Sequence, residues 1–382
     1  MKRPLAGALC LVALLCTLAG CKHSTKPDKP LPLVDFKQQF AVKRVWSASV
    51  GSGQPKLKLG LAPVVDGQHV YLANGKGTVL ALDAKTGKHQ WEQHIKAQLS
   101  GGPGAGAGLV MLGTSGGAII ALDAATGAQR WRTQLNSEIL SAPVASGDLV
   151  AVRTVDGKLF GLSASDGKQS WVADQQVPRL TLRGTSAPII AGDYVIAGFD
   201  NGRLMAVTLT GGTTAWDVAV SQARGSSELQ RLIDIDGPPV VDLDELYVVG
   251  FQGHVARLSR DTGREIWSHE LSSFRGLALD PVGVVVSTAE GEVVKLDRAG
   301  GSERWRQKGL LRHGLTRPAV LGESVVVGDA QGNLHWLSTE KGEFQARGKA
   351  GGPLSSAPLV VDDLLIVQTD KGGIEAWRKS AR

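Results

Sequence analysis

The sequence predicts an all-β fold, an eight-bladed β-propeller of four-stranded antiparallel blades, and three regularities carry that expectation. Eight glycines share one phase of a repeat: Gly77, Gly117, Gly157, Gly202, Gly253, Gly291, Gly332 and Gly372. Ten residues after each of the first seven stands a second glycine (Gly87, Gly127, Gly167, Gly212, Gly263, Gly301, Gly342). Fourteen after stand Trp91, Trp131, Trp171, Trp216, Trp267, Trp305 and, in the seventh unit, Ala346. The period of 38 to 51 residues, with strand-like runs between turn signals, is that of a propeller blade.

Within one unit, residues 61–91 hold four short β-rich runs separated by Gly and Asp turns: Leu-Ala-Pro-Val-Val-Asp, His-Val-Tyr-Leu-Ala, Gly-Thr-Val-Leu-Ala-Leu-Asp, and the run ending in Trp91. Dipeptides such as Asp156-Gly157 and Asn201-Gly202 supply the positive φ of a tight hairpin turn. The eighth unit ends at Arg382 before its tryptophan can occur, and the missing residue stands ahead of the first repeat as Trp46. The N-terminal strand is therefore expected to pair in the last blade, closing the ring and removing an open sheet edge. The repeated tryptophan is expected to pack between neighbouring blades, where a large flat side chain buries the most apolar area.

Residues 1–20 form a different kind of segment. Lys2 and Arg3 precede the apolar run Leu9 to Leu15, which is too short to span a bilayer and reads as a signal peptide. Its end, Leu18-Ala19-Gly20-Cys21, resembles the bacterial lipoprotein box, which implies cleavage before Cys21 and acylation of its thiol. Two or more acyl chains anchor a protein stably where one is marginal. Lys22 stands where an inner-membrane retention signal has Asp, so the expected address is the periplasmic face of the outer membrane. Residues 21–32 read as the lipidated cysteine and a Pro-rich tether with a reach of roughly 30 Å, and residues 33–382 as the propeller. Cys10 and Cys16 leave with the signal, so the domain must be stable without disulfides, which a core of this size allows.

The net charge of +6 is spread through the repeats with Asp and Glu interleaved and no basic block, which speaks against nucleic acid as a partner. Gly113-Thr-Ser115-Gly-Gly117 matches a nucleophile-elbow pattern but falls on a hairpin between strands, where that motif has no strained strand-to-helix turn to expose its serine. The eight histidines lack metal-ligand spacing. Asp83 and Asp123 open the Thr-Gly turns and are expected to hydrogen-bond their own backbone rather than bind calcium. Gly102 to Gly108 lacks a phosphate-binding spacing and reads as flexible loop and strand. No catalytic residue and no metal site is expected.

The departures from the repeat are all insertions in one kind of place. From the opening-strand position (Pro63, Pro103, Pro143, Pro188, Pro239, Leu277, Pro318, Pro358) to the phase glycine the spacing is fixed at fourteen. From the preceding tryptophan position to that residue it varies from 10 to 23. Every length change thus lies between the last strand of one blade and the first of the next. If strands alternate in direction, these connections share a face with the phase-glycine turns. The long connections after Trp171 and after Trp216 then lie side by side. One carries Leu180, Leu182 and Arg183, the other Asp234 and Asp236. Apolar anchors beside fixed charges on scaffold loops suit a protein partner.

The unit Asp-Ala-x-Thr-Gly-x-x-x-Trp resembles the PQQ-type propeller repeat. With the lipoprotein box, Leu-Thr-Leu-Arg-Gly-Thr-Ser-Ala-Pro at 180–188 and Arg-Leu-Ile-Asp-Ile-Asp at 231–236, the full chain resembles the BamB family, the lipoprotein subunits of the outer-membrane β-barrel assembly (BAM) machinery. That resemblance implies a non-enzymatic scaffold without cofactor, bound to the POTRA domains of BamA and through BamA to the other subunits. It also implies help in insertion and folding of outer-membrane barrel proteins, with contact to unfolded clients. The POTRA contact carries over to Leu180, Leu182, Arg183, Asp234 and Asp236. The alternative class is a PQQ-dependent periplasmic dehydrogenase, built on the same repeat. Such enzymes have a vicinal Cys-Cys pair over the quinone, and no cysteine pair remains here after the signal is removed, nor any Cys-x-x-Cys-His.

Overall fold

The computed structural model describes residues 29–51, 60–178, 186–221 and 233–380. The signal segment and Cys21 lie outside them. Among the described residues there is no helix, and the strands form eight antiparallel blades. The first blade runs Val64–Asp66, His69–Ala73, Thr78–Asp83 and His89–His94, from the innermost strand outward, and the next six repeat that order. The second and third strands of a blade are buried nearly throughout because neighbouring blades cover both faces. Their runs are accordingly continuous apolar sequence, such as Val284 to Val286 and Val325 to Val327, rather than alternating. The outer strands alternate, with the tryptophan turned in.

The expected closure is present. Ala41–Ser49 pairs with Gly373–Ser380 as the outermost strand of the eighth blade, whose inner strands are Leu364–Gln368 and Leu359–Val361. One addition was not foreseen: Gly60–Leu61 pairs in parallel with Gly101 and Gly102, giving the second blade a fifth strand. The glycine-rich run expected to be partly flexible loop lies largely within the buried inner strand Leu99–Gly106. A Cβ on Gly104 would stand 1.8 Å from the carbonyl oxygen of Pro143, so the third blade can approach only because there is none.

Each tryptophan docks onto the following blade by one device. Trp131 Nε1 donates to the carbonyl of Ala164 at 2.8 Å, Trp91 to that of Ala124 at 2.9 Å, and Trp46 to that of Ala84 at 3.2 Å. The indole ring lies flat on the second repeat glycine: a Cβ on Gly127 would stand 2.6 Å from the Trp91 ring. The two regularities of the sequence are therefore halves of one contact, an aromatic face on one blade and a bare backbone on the next. A register shift immediately before this position recurs in all eight blades, and in the seven that carry the tryptophan it tips the ring sideways toward its neighbour. It also turns the preceding side chain outward, which explains the exposed Val45 (45%) and Ile266 (46%).

The seam between the seventh and eighth blades lacks this device, having Ala346 where the tryptophan would be. Trp336 and Trp377 fill it instead, with Phe40 and Val42 packed against them. The segment before the closing strand lies along the seventh blade. Phe36 stacks on Phe344 at 5.3 Å, Arg347 sits over Phe36 and donates to the carbonyl of Val34, and Gln39 donates its N–H to Gln345.

The Thr-Gly turns behave as expected. Asp83 Oδ1 accepts from the backbone N–H of Lys85 and of Thr86 and from the Thr86 hydroxyl at 2.7 Å, which holds its pKa below the usual carboxylate value. The phase-glycine turn has positive φ at Gly77 (99°) and in six of the other units, but the fifth is rebuilt. There Gln252 takes the left-handed conformation (φ 50°) in place of Gly253, because Phe251 is drawn into a bridge with Asp234.

Candidate partner-binding site

Strand alternation puts the blade-to-blade connections and the phase-glycine turns on one face. Ile95, Leu135, Gln175 and Val220, each just past an outer strand, donate N–H to the carbonyls of Gly77, Gly117, Gly157 and Gly202 of their own blade's turn. Lys85, on a Thr-Gly turn, lies on the opposite face and pairs with Asp362 at 2.8 Å.

The two long connections adjoin. The first leaves the third blade through Gln175, whose side chain donates to Asp217 at 2.9 Å, and Gln176, whose carbonyl accepts from Asn201 Nδ2 at 2.7 Å. Leu180, Leu182 and Arg183 lie outside the described residues. The connection re-enters at Ser186, fully buried, whose hydroxyl donates to the carbonyl of Gly237 at the end of the second connection (3.3 Å). The exits of the two loops are thus tied together.

The described part of the second connection is anchored rather than free. Ile233 and Ile235 are buried against Gly202 and Gly198 of the fourth blade, places where a side chain would collide with them. Between them, Asp234 accepts from the N–H of Phe251 through its carbonyl at 2.7 Å. Its side chain is fully buried, and neither carboxyl oxygen has a hydrogen-bond partner among the described residues. Burial first, then the nearby carboxylates of Asp200 and Asp236, push its pKa up to about 8 against the opposing pull of Arg153. Asp236, two residues on, is half-buried. Of the two acids the sequence singled out, one is fully buried and one half-buried.

Beneath them lies a buried ion pair that sequence reasoning missed. Arg153 and Asp200 are bonded to each other, both nearly inaccessible, with the guanidinium 5.1 Å over the ring of Phe199. A signal existed: the position four before the phase glycine holds Ala73, Gly113, Gly198, Val249, Ser287, Gly328 and Gln368 elsewhere, and an arginine only at 153. The pair joins the third blade to the fourth beside the buried Asp234.

Among the described residues no group of His, Cys, Asp or Glu is arranged to hold a metal ion. A family model described as outer membrane protein assembly factor BamB matches residues 42–99, 75–307 and 289–380. The chain belongs to the BamB family. The assembly factor BamB of Pseudomonas aeruginosa is 45% identical over 369 residues, 96% of this chain and 97% of its own length. That of Xanthomonas campestris is 37% identical, covering 96% of each. The crystal structure of BamB from Moraxella catarrhalis superposes with a TM-score of 0.81 at 31% identity, over 88% of this chain and all of that one. A quinohemoprotein alcohol dehydrogenase from Comamonas testosteroni has a TM-score of 0.69 at 14% identity, covering 89% of this chain and 77% of that one, which is likeness of fold alone.

Proposed function

We propose that this BamB-family chain is a scaffold of outer-membrane protein assembly that binds the POTRA domains of BamA through its two long connections. The relatives are named as assembly factors, and the chain is a scaffold rather than an enzyme. The observation that carries the site is the bond from Ser186 to Gly237, which brings the two singular loops together on one rigid face. In this reading Leu180 and Leu182 supply apolar anchors and Arg183 a charge for an acidic or carbonyl partner. Asp236 offers a half-buried carboxylate, and Asp234 fixes the loop from within through its backbone.

Removing a central anchor or a paired charge costs about 2 kcal/mol or more, roughly thirtyfold in affinity. Leu182→Ala and Arg183→Glu are therefore each expected to abolish co-purification with BamA while melting with the parent. Lys85→Glu on the opposite face is expected to leave binding intact, since its ion pair is exposed. Binding that survives both loop substitutions would move the interface elsewhere.

The same reading assigns residues 1–20 to a cleaved signal, Cys21 to a lipid anchor, residues 21–32 to a tether and residues 33–382 to the propeller, with the protein held at the periplasmic face of the outer membrane. Cys21→Ala, exported behind a cleavable signal without a lipoprotein box, is expected to give a folded domain in the soluble fraction. If that form sediments with outer membranes lacking BamA, the lipid anchor is not what holds the protein there.

A further inference from the structure

The residues that open the inner strands surround the channel, and in seven of the eight blades they are small or cyclic. Immediately before the opening position stand Ala62, Gly102, Ala142, Ala187, Pro238, Gly276 and Ala357, but in the seventh blade Arg317. One residue earlier the ring holds Leu61, Gly101, Ser141, Ser186, Gly237, Thr316 and Ser356, but in the sixth blade Arg275. Two guanidinium groups thus occupy adjacent places in rings that otherwise carry no charge.

They also meet the same stretch of chain. Arg317 Nε donates to the carbonyl of Leu277 at 2.7 Å, two residues from Arg275, and its stem passes 3.4 Å from where a Cβ on Gly276 would stand. The missing side chain of Gly276 makes room for it. Arg275 stacks over Phe274 at 4.8 Å, and its buried Nε has no acceptor among the described residues. Asp236 and Asp370 act on Arg275 through space without an ion pair to it. No carboxylate among the described residues pairs with Arg317, whose pKa burial draws down to about 10, so it is still charged at neutral pH. A half-buried guanidinium whose one described hydrogen bond is to a backbone carbonyl has given up hydration without an ionic partner among the described residues. It becomes favourable when an oxyanion completes it, because the planar fork of arginine matches carboxylate and phosphate oxygens.

We propose that Arg275 and Arg317 form an oxyanion-binding site at the channel rim beside the sixth and seventh blades, taking a carboxylate or phosphate group. Arg317 supplies the uncompensated charge, and Arg275, already biased by Asp236 and Asp370, the second fork. Arg317 is no part of the proposed BamA contact, whose Asp236 acts on Arg275 alone of the two arginines.

The full chain, purified in detergent, would be titrated at pH 7 with sodium phosphate and with sodium malonate, against sodium chloride at matched ionic strength. Melting temperature and heat of binding are the readouts. Phosphate, malonate or both are expected to stabilise the parent beyond chloride, and the anion that does so identifies the chemistry. Arg317→Gln should weaken that binding by about tenfold or more without lowering the melting temperature in the absence of anion. Arg317→Lys, which keeps the charge but not the fork, should fall between. Arg304→Gln, on the opposite face where Arg304 pairs with Asp297, should bind as the parent does. Anion responses no larger than that to chloride, or affinity retained in Arg317→Gln, would overturn the site. If Arg317→Gln fails to fold, Arg317→Lys binding both anions with parental affinity would overturn it equally.

Discussion

Deleting residues 41–50 is expected to unfold the whole propeller cooperatively rather than fray one end. The strand Ala41–Ser49 makes two contacts at once. Along its length it pairs with Gly373–Ser380, and through Trp46 it reaches across the seam to the carbonyl of Ala84 and the backbone of Gly87 in the first blade. Its start also carries Val42, packed with Phe40 against Trp336, Ala346 and Trp377 at the seam that lacks a docking tryptophan. Losing the strand therefore opens the ring on both sides of the eighth blade. Loss of a buried tryptophan costs about 3 to 5 kcal/mol before the exposed sheet edge is counted, against a total stability of about 5 to 15 kcal/mol for a domain. The shortened chain should melt roughly 10 °C or more below the parent, or fail to accumulate as soluble protein. Trp46→Ala tests the docking alone and should give a smaller fall of the same sign. A truncated domain melting with the parent would mean that the ring closes without this strand.

The fold was legible because a propeller repeats its solution. The tryptophan and the second glycine answer each other across every ordinary seam, so their spacing records a tertiary contact in one dimension. Even the displaced Trp46 could be placed, since the eighth blade lacked one. What the repeat could not show was what stands in for it. Nothing in the spacing says that Trp336 and Trp377 fill the gap at Ala346, or that Gly60–Leu61 adds a fifth strand. The loops were legible in position, because a fixed spacing on one side and a variable one on the other isolates them. The orientation of their side chains was not: the two acids of Asp-Ile-Asp look alike in sequence, and only the packing of the folded loop leaves Asp234 fully buried and Asp236 half-buried. Arg153, Arg275 and Arg317 were missed for a related reason. Each is a charge at a ring position that elsewhere is mostly small or apolar, a signal visible only when the eight units are compared position by position.

Asp234→Asn is expected to stabilise the protein at pH 8 and change it little near pH 4. The folded pKa of Asp234 is pushed up to about 8, from an ordinary value of 3.8. Between those values the folded chain holds a proton that the unfolded chain has released, so stability is full below about pH 4 and is lost as pH rises through about 8. Asparagine has nearly the same shape and no charge, and it removes this dependence. Arg153 limits the cost of ionisation, so the variant should gain on the order of 2 to 3 kcal/mol over the parent between pH 5 and pH 8. Asp329, held down to about 2 by His335 and Asn333 despite its burial, changes only at lower pH. His335, whose pKa is lowered by burial, affects both proteins alike and drops out of the difference. Denaturant unfolding of the pair across this range is the measurement, and parallel stability curves would show that the carboxylate is ionised and compensated. The same variant separates two roles at the partner site. If Asp234 acts by holding the loop from within, Asp234→Asn keeps its binding to BamA at neutral pH, and Asp236→Asn is the change that weakens it.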